Sequence, residues 1–350
     1  MKHPWVRWLP AAVVPVAIAA GAIIAPLAAG AADLPSKTPD DVLRLMAASE
    51  TRSFSGTVEQ TSHLGLPTLP SVSSGPGSSS DQSAASTLEL LTADHTAKVY
   101  VDGPTRMRVQ VLDQLAERDV IRNGTDVWLY QSKGEQVTHA TVPARATGSA
   151  PDAAATTPSA LAQRFLTAVS PSTSVTLGAN TSVVGRDAYD LVLTPRTDAT
   201  LVRSVSIAVD GTTGLPLRVT IDARGQSTPA FTAEFTSFSP SAPSASVFAF
   251  TPPPGAKVTE QSLGGGHKTH AATAHPKPSV SGTGWDAVVS LPPGSAPASL
   301  TSSPLYGELT TPVDGGRALS TALVSVLVTD DGRVFAGAVP VQTLQAAAAR

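Results

Sequence analysis

Asn123-Gly124 stands between Asp119-Val120-Ile121-Arg122 and Asp126-Val127-Trp128-Leu129-Tyr130. An Asn-Gly pair between two β-prone runs is the strongest short-range hairpin signal, because both turn positions need positive φ. The same grammar repeats along the chain and points to an antiparallel sheet. Residues 53–59 alternate with period two, placing Phe54, Gly56 and Val58 on one side. Segments 97–101 and 107–112 flank the turn Asp102-Gly103-Pro104-Thr105, and Ser132-Lys133-Gly134 turns the chain into 135–142. Further strand patterns fall at 174–177, 189–193, 204–209, 217–221, 231–235 and 247–250, with Asp210-Gly211-Thr212-Thr213-Gly214 as a turn among them. An antiparallel meander of so many strands curls or closes.

Two helices interrupt this pattern. Thr38 is a cap, Pro39 suits the first helical position, and Asp40 and Asp41 favour the positive end of the dipole. Val42, Leu45 and Met46 then form an apolar face. The same start signal recurs at Thr157-Pro158, followed by Leu161, Phe165 and Val169. Residues 66–86 are rich in Pro, Gly and Ser and read as a disordered insertion. Gly264-Gly265-Gly266 and Lys277-Pro278 mark a linker over 261–282. A smaller β-rich unit over 283–345 follows, with apolar segments at 285–291, 305–310, 319–329 and 334–339. The third is read as one buried strand, and the terminal alanines are expected to fray.

At the N-terminus, Lys2 and Arg7 precede an uncharged stretch from Leu9 to Ala32. That order directs export, and the length suits either a cleaved signal peptide or a retained membrane anchor over residues 1–32. The positive-inside rule puts the remainder on the outer side of the cytoplasmic membrane, anchored or secreted. Cysteine is absent, so stability has to come from a core and not from disulfides. A net charge of -3 with scattered Lys and Arg leaves no electrostatic footprint for nucleic acid.

The chain carries no nucleophile elbow, Gly-rich phosphate loop, His-Glu-x-x-His helix or paired catalytic carboxylates, so no catalytic residue, metal or cofactor is assigned. Asp40 and Asp41 belong to a helix start, and Asp330 and Asp331 to a tight turn. His267, His270 and His275 lie in the linker without a carboxylate beside them and are read as linker residues. Asn123-Gly124-Thr125 and Asn180-Thr181-Ser182 match the glycosylation triplet, although the hairpin explains Asn123 better. One strand stands out. Trp128 and Tyr130 alternate with Val127 and Leu129, so both of its faces are apolar, and either a helix covers one face or a ligand does. A curved sheet with an apolar side makes a cavity suited to an acyl chain; equally, the helices can complete a core there. Alternate strand positions give Val58, Val109, Val127, Leu129, Leu191, Leu193, Ile207 and Val219 as the cavity-lining set.

These segments resemble a known group, the lipoprotein carrier LolA and the sigma-E regulators of the MucB/RseB type. The likeness lies in 53–58, in the 120–130 hairpin, in the turn from Asp210 to Val219 and in 248–258, and it spans about residues 38–260. Gly284-Trp285, Leu291-Pro292-Pro293-Gly294 and 324–328 look like the C-terminal unit of the regulator subgroup. The insertion at 66–86 is foreign to the compact carriers. The resemblance implies a mainly β fold with helices (α+β), an unclosed antiparallel β-barrel capped by helices, plus a small C-terminal β-rich domain. It implies two partners of different class: a lipid, lipoprotein or other apolar ligand held in the concave face, or the extracellular part of a membrane-bound anti-sigma protein.

Overall fold

The computed structural model describes residues 34–49, 51–66, 93–113, 116–141, 171–262, 278–296, 301 and 304–350. The N-terminal segment, nearly all of the 66–86 insertion, the helix expected after Thr157 and the three linker histidines lie outside the described residues.

Helix α1 (Pro39–Ala47) begins as its sequence dictates. Thr38 Oγ1 accepts from the Asp41 N–H at 3.2 Å, and the Asp41 carboxylate accepts from the Thr38 N–H at 3.2 Å. This reciprocal box satisfies donors that the first turn leaves unpaired. A first run of strands follows: β1 (Ser53–Ser62), β2 (His95–Asp102), β3 (Arg106–Asp113), β4 (Ala116–Asn123), β5 (Asp126–Gln131) and β6 (Gln136–Thr141). A second run comprises β7 (Thr173–Leu177), β8 (Thr181–Val183), β9 (Arg186–Pro195), β10 (Val202–Asp210), β11 (Pro216–Ala223) and β12 (Phe231–Ser239).

Pairing of β1 with β12 joins the two runs into one large sheet, ordered β13-β6-β5-β4-β3-β2-β1-β12-β11-β10-β9-β7, with β8 on β9. The sheet does not close on itself. Every pair in it is antiparallel except the last, where β13 (Lys257–Ser262) lies parallel to β6. Residues 240–256 cross the sheet to make that pairing, the kind of long connection that parallel neighbours need. Two apolar cores flank the central strands. One unites Val58, Val99 and Phe235 with Val183, Ala188, Ala208 and Leu217. The other packs Val42 and Leu43 of α1 on Tyr189, Leu191, Leu193, Ile207, Val209 and Val219.

A second sheet has the order β14-β15-β19-β18-β17-β16, built from β14 (Ser279–Ser281), β15 (Val288–Leu291), β16 (Thr311–Val313), β17 (Gly316–Ser320), β18 (Ser325–Thr329) and β19 (Val334–Gly337). It meets the first at its ends. The Leu201 N–H and Thr200 Oγ1 both donate to the Ala338 carbonyl, at 2.8 and 2.7 Å, and Trp285 Nε1 donates to Thr173 Oγ1 at 2.8 Å.

Several local expectations change. Residues 245–250 form no strand: Ala245–Phe248 is a 3₁₀ turn. The apolar segment at 305–310 falls mostly in a helix, α2 (Pro304–Leu309). The 319–329 segment is two strands, because Thr321 Oγ1 accepts from the N–H groups of Leu323 and Val324 and fixes a turn between them. The terminal alanines continue a helix, α3 (Val341–Ala348), whose Leu344 is fully buried against the sheet, where Leu327 and Phe335 form the core. Strand β13 reaches Ser262 and β14 starts at Ser279, so regular structure enters both ends of the expected linker. No helix among the described residues is long and apolar enough to cross a membrane.

Candidate functional site

The hairpin that sets the register of β4 and β5 turns at Gly124-Thr125: Gly124 takes φ 66°, while Asn123, expected in the turn at positive φ, is instead paired opposite Asp126. Paired residues share a face of the sheet, so the register sorts every side chain of this region. On one face lie Arg108, Ile121, Trp128 and His139, in line across β3 to β6. On the other lie Met107, Arg122 and Val127, then Val109, Val120 and Leu129, then Val111, Arg118 and Gln131.

The first face is closed by the chain itself. Trp128 stacks on His139 with centroids 3.9 Å apart, and Phe250 of the crossing segment packs at 5.5 Å from Trp128 and 5.8 Å from Tyr130. Arg108 fastens that segment, because Nη1 donates to the Val247 carbonyl at 3.2 Å while Nε and Nη2 donate to the two Asp119 oxygens at 3.2 and 2.5 Å. Asp119 is buried. Desolvation pushes its carboxyl up against the pull of the Arg108 guanidinium. Neither a helix nor a ligand is needed on this side.

The second face stays open. Met107, Val120 and Leu129 are 37%, 37% and 43% exposed, next to the partly buried Val109 and Val127. Scattered exposed apolar side chains are ordinary, but three in adjacent register on one sheet face form a patch that water disfavours. This strip is the candidate site.

The eight residues expected to line a cavity are divided by the structure. Val109, Val127 and Leu129 lie on the open face, with Val109 at its border, packed against the first core. Val58 is enclosed in the first core with Val99 and Phe235. Leu191, Leu193, Ile207 and Val219 are buried in the core that α1 covers, so helix side chains occupy the space before them. Met107, Val120 and Arg122 were absent from the expected set. Their parity was readable, since Met107 shares its side with Val109, and the hairpin places Val120 opposite Leu129.

A cleft of about 640 Å³ opens at the end of α1 between Leu45, Ser49, Arg52, Thr212, Thr213 and Pro240. His139 bridges Asp126 and Glu260, yet no cluster among the described residues has the arrangement of a metal site.

A family model described as a predicted periplasmic protein, DUF2092, matches residues 77–260. The chain belongs to the DUF2092 family. No curated protein matches this DUF2092 chain. Among solved structures it is similar to the Pseudomonas aeruginosa MucA/MucB complex, at 16% identity and TM-score 0.43 over 88% of this chain and 96% of that one. It is similar to an uncharacterized conserved protein from Thermus thermophilus, at 12% identity and TM-score 0.36 over 63% and 98%. A LolA superfamily protein from Nitrosomonas europaea gives 12% identity and TM-score 0.26 over 61% and 99%.

Proposed function

We propose that this DUF2092 protein is an extracytoplasmic binding protein that holds a lipid, a lipoprotein acyl chain or a similar apolar ligand against the open face of β3 to β5, without covalent chemistry. The observation that carries the reading is the contrast between the two faces of one strand. On β5 the chain brings Phe250 over Trp128 and Tyr130 but leaves Leu129 uncovered beside Val120 and Met107. An apolar ligand laid there removes that surface from water, at roughly 25 cal/mol per Å² of apolar area. The basic-then-apolar segment at residues 1–32 supports export, and the family description agrees in naming a predicted periplasmic protein.

Native mass spectrometry of the protein purified from its own host tests the reading. A co-purified acyl species that disappears in Leu129→Asp is the expected result. A clean apo mass, or an acyl species that persists in a folded Leu129→Asp variant, sinks it and moves a protein partner, the anti-sigma type above all, to the front.

A further inference from the structure

Charge is segregated between the two faces of β4, β5, β6 and β13. Glu117, Asp119, Asp126 and Glu260 all share the face of Trp128, where Asp119 meets Arg108, and Asp126 and Glu260 meet His139. The charged residues on the open face of these four strands are Arg118, Arg122 and Lys257, all cationic; β3, which completes the strip, has one acidic residue in register with that face, Asp113, at the end away from Met107. This occurs in a chain whose net charge is -3, so the local sign runs against the whole.

Arg122 is the telling member. It sits between Met107 and Val127 in the register and directly follows the Val109, Val120, Leu129 row. Its Nε donates to the Gly124 carbonyl at 3.2 Å, and among the described residues it forms no ion pair with a carboxylate. Arginines elsewhere in the sheet are spent on structure: Arg108 on Asp119, Arg186 on Asp210, Arg218 on Glu234. A half-buried guanidinium beside an open apolar strip presents two donor nitrogens with the fork geometry that matches a phosphate or carboxylate.

Resting on the binding reading above, we infer that the ligand is an anionic amphiphile, an acidic phospholipid, whose acyl chain lies on Met107, Val109, Val120 and Leu129 while its headgroup phosphate is held by Arg122. The acyl chain supplies affinity through buried area, and the guanidinium supplies orientation and a choice of headgroup. Lys257, exposed on the same face at the sheet edge, adds to the positive field without touching the strip.

The test titrates the full delipidated chain with phosphatidylglycerol, or with the neutral diacylglycerol of identical acyl chains, and reads bound lipid by native mass spectrometry. Phosphatidylglycerol is expected to bind about ten-fold more tightly, the ratio that one charge-assisted contact of roughly 1.4 kcal/mol gives. Arg122→Gln is expected to erase that ratio by weakening phosphatidylglycerol to the level of diacylglycerol, and Arg122→Lys to keep part of it; an unchanged thermal unfolding curve shows that each variant is folded. Equal binding of the two lipids, or a ratio that survives Arg122→Gln, overturns the headgroup assignment and leaves the apolar strip standing provided Leu129→Asp still abolishes both. Failure of either lipid to bind, or binding indifferent to Leu129→Asp, overturns the assignment together with the reading beneath it.

Discussion

His139 lies flat against Trp128, with ring centroids 3.9 Å apart and 14° between the planes. Its two ring nitrogens are 2.9 Å from Asp126 Oδ1 and 2.8 Å from Glu260 Oε2, so one imidazole ties β5, β6 and the edge strand β13 together. Only the doubly protonated ring can donate to both carboxylates at once.

The hydrogen bond with Asp126, aided by that with Glu260, raises the His139 pKa above its usual value near 6.5. Because the folded-state value is the higher one, the stabilisation is fully present below the unfolded pKa and is lost as pH rises through the folded one. The stability gap between the wild type and His139→Gln should therefore be widest in mildly acid buffer and narrow towards alkaline pH. Imidazole NMR titration should place the His139 midpoint above 6.5, and Asp126→Asn should lower it more than Glu260→Gln. A midpoint at or below 6.5 in the wild type contradicts the arrangement.

Removing the Asp119 carboxylate leaves the Arg108 guanidinium partly buried without its counter-charge. Breaking such a pair from one side costs about 3 kcal/mol, much of it the penalty on the orphaned charge. Denaturant unfolding of Asp119→Ala should show a loss of that order. Hydrogen exchange should quicken at residues 247–250, since Arg108 also holds the Val247 carbonyl. Exchange confined to β4, with 247–250 unchanged, would separate the ion pair from the fastening of the segment.

Gly56 lies on the seam where the two strand runs meet. A Cβ built there would stand 2.3 Å from the Ser237 carbonyl oxygen and 2.4 Å from the Phe235 ring. Backbone on one side and a buried ring on the other cannot give way cheaply, so Gly56→Ala should cost about 3 kcal/mol. The unfolding midpoint is the readout; a variant as stable as the wild type would mean that β1 and β12 are not held at this spacing.

What was legible in the sequence is what local chemistry controls. Thr38 with Asp41 announces α1, and Asn123-Gly124 announces the hairpin whose register defines the open strip. The parallel β6·β13 pairing was not legible, because nothing in Lys257-Val258-Thr259 specifies a partner more than a hundred residues back. Residues 247–250 alternate like a strand, yet the alternation serves a different end: Phe248 and Phe250 are side chains that cover a neighbouring face. The expected parity falls on the open face along β3 and β5, and in the core under α1 along β9 to β11. Periodicity identifies an inward face but does not say whether a helix or a ligand fills it, and α1 supplies Val42 and Leu43 to those strands.

The pairing of β1 with β12 also sets an order of events at the ribosome. Strand β1 is among the first parts of the fold to emerge, but its partner on that side, Phe231–Ser239, is made some 180 residues later. Until then β1 presents an unpaired edge, and the β1–β6 run has to be kept from pairing with other chains. A contact of such long range also slows folding, because its loop must close before the pairing can reward it. Under the export reading proposed above, that delay matches a need, because the long-range β1·β12 seam cannot form until nearly the whole sheet has been synthesised.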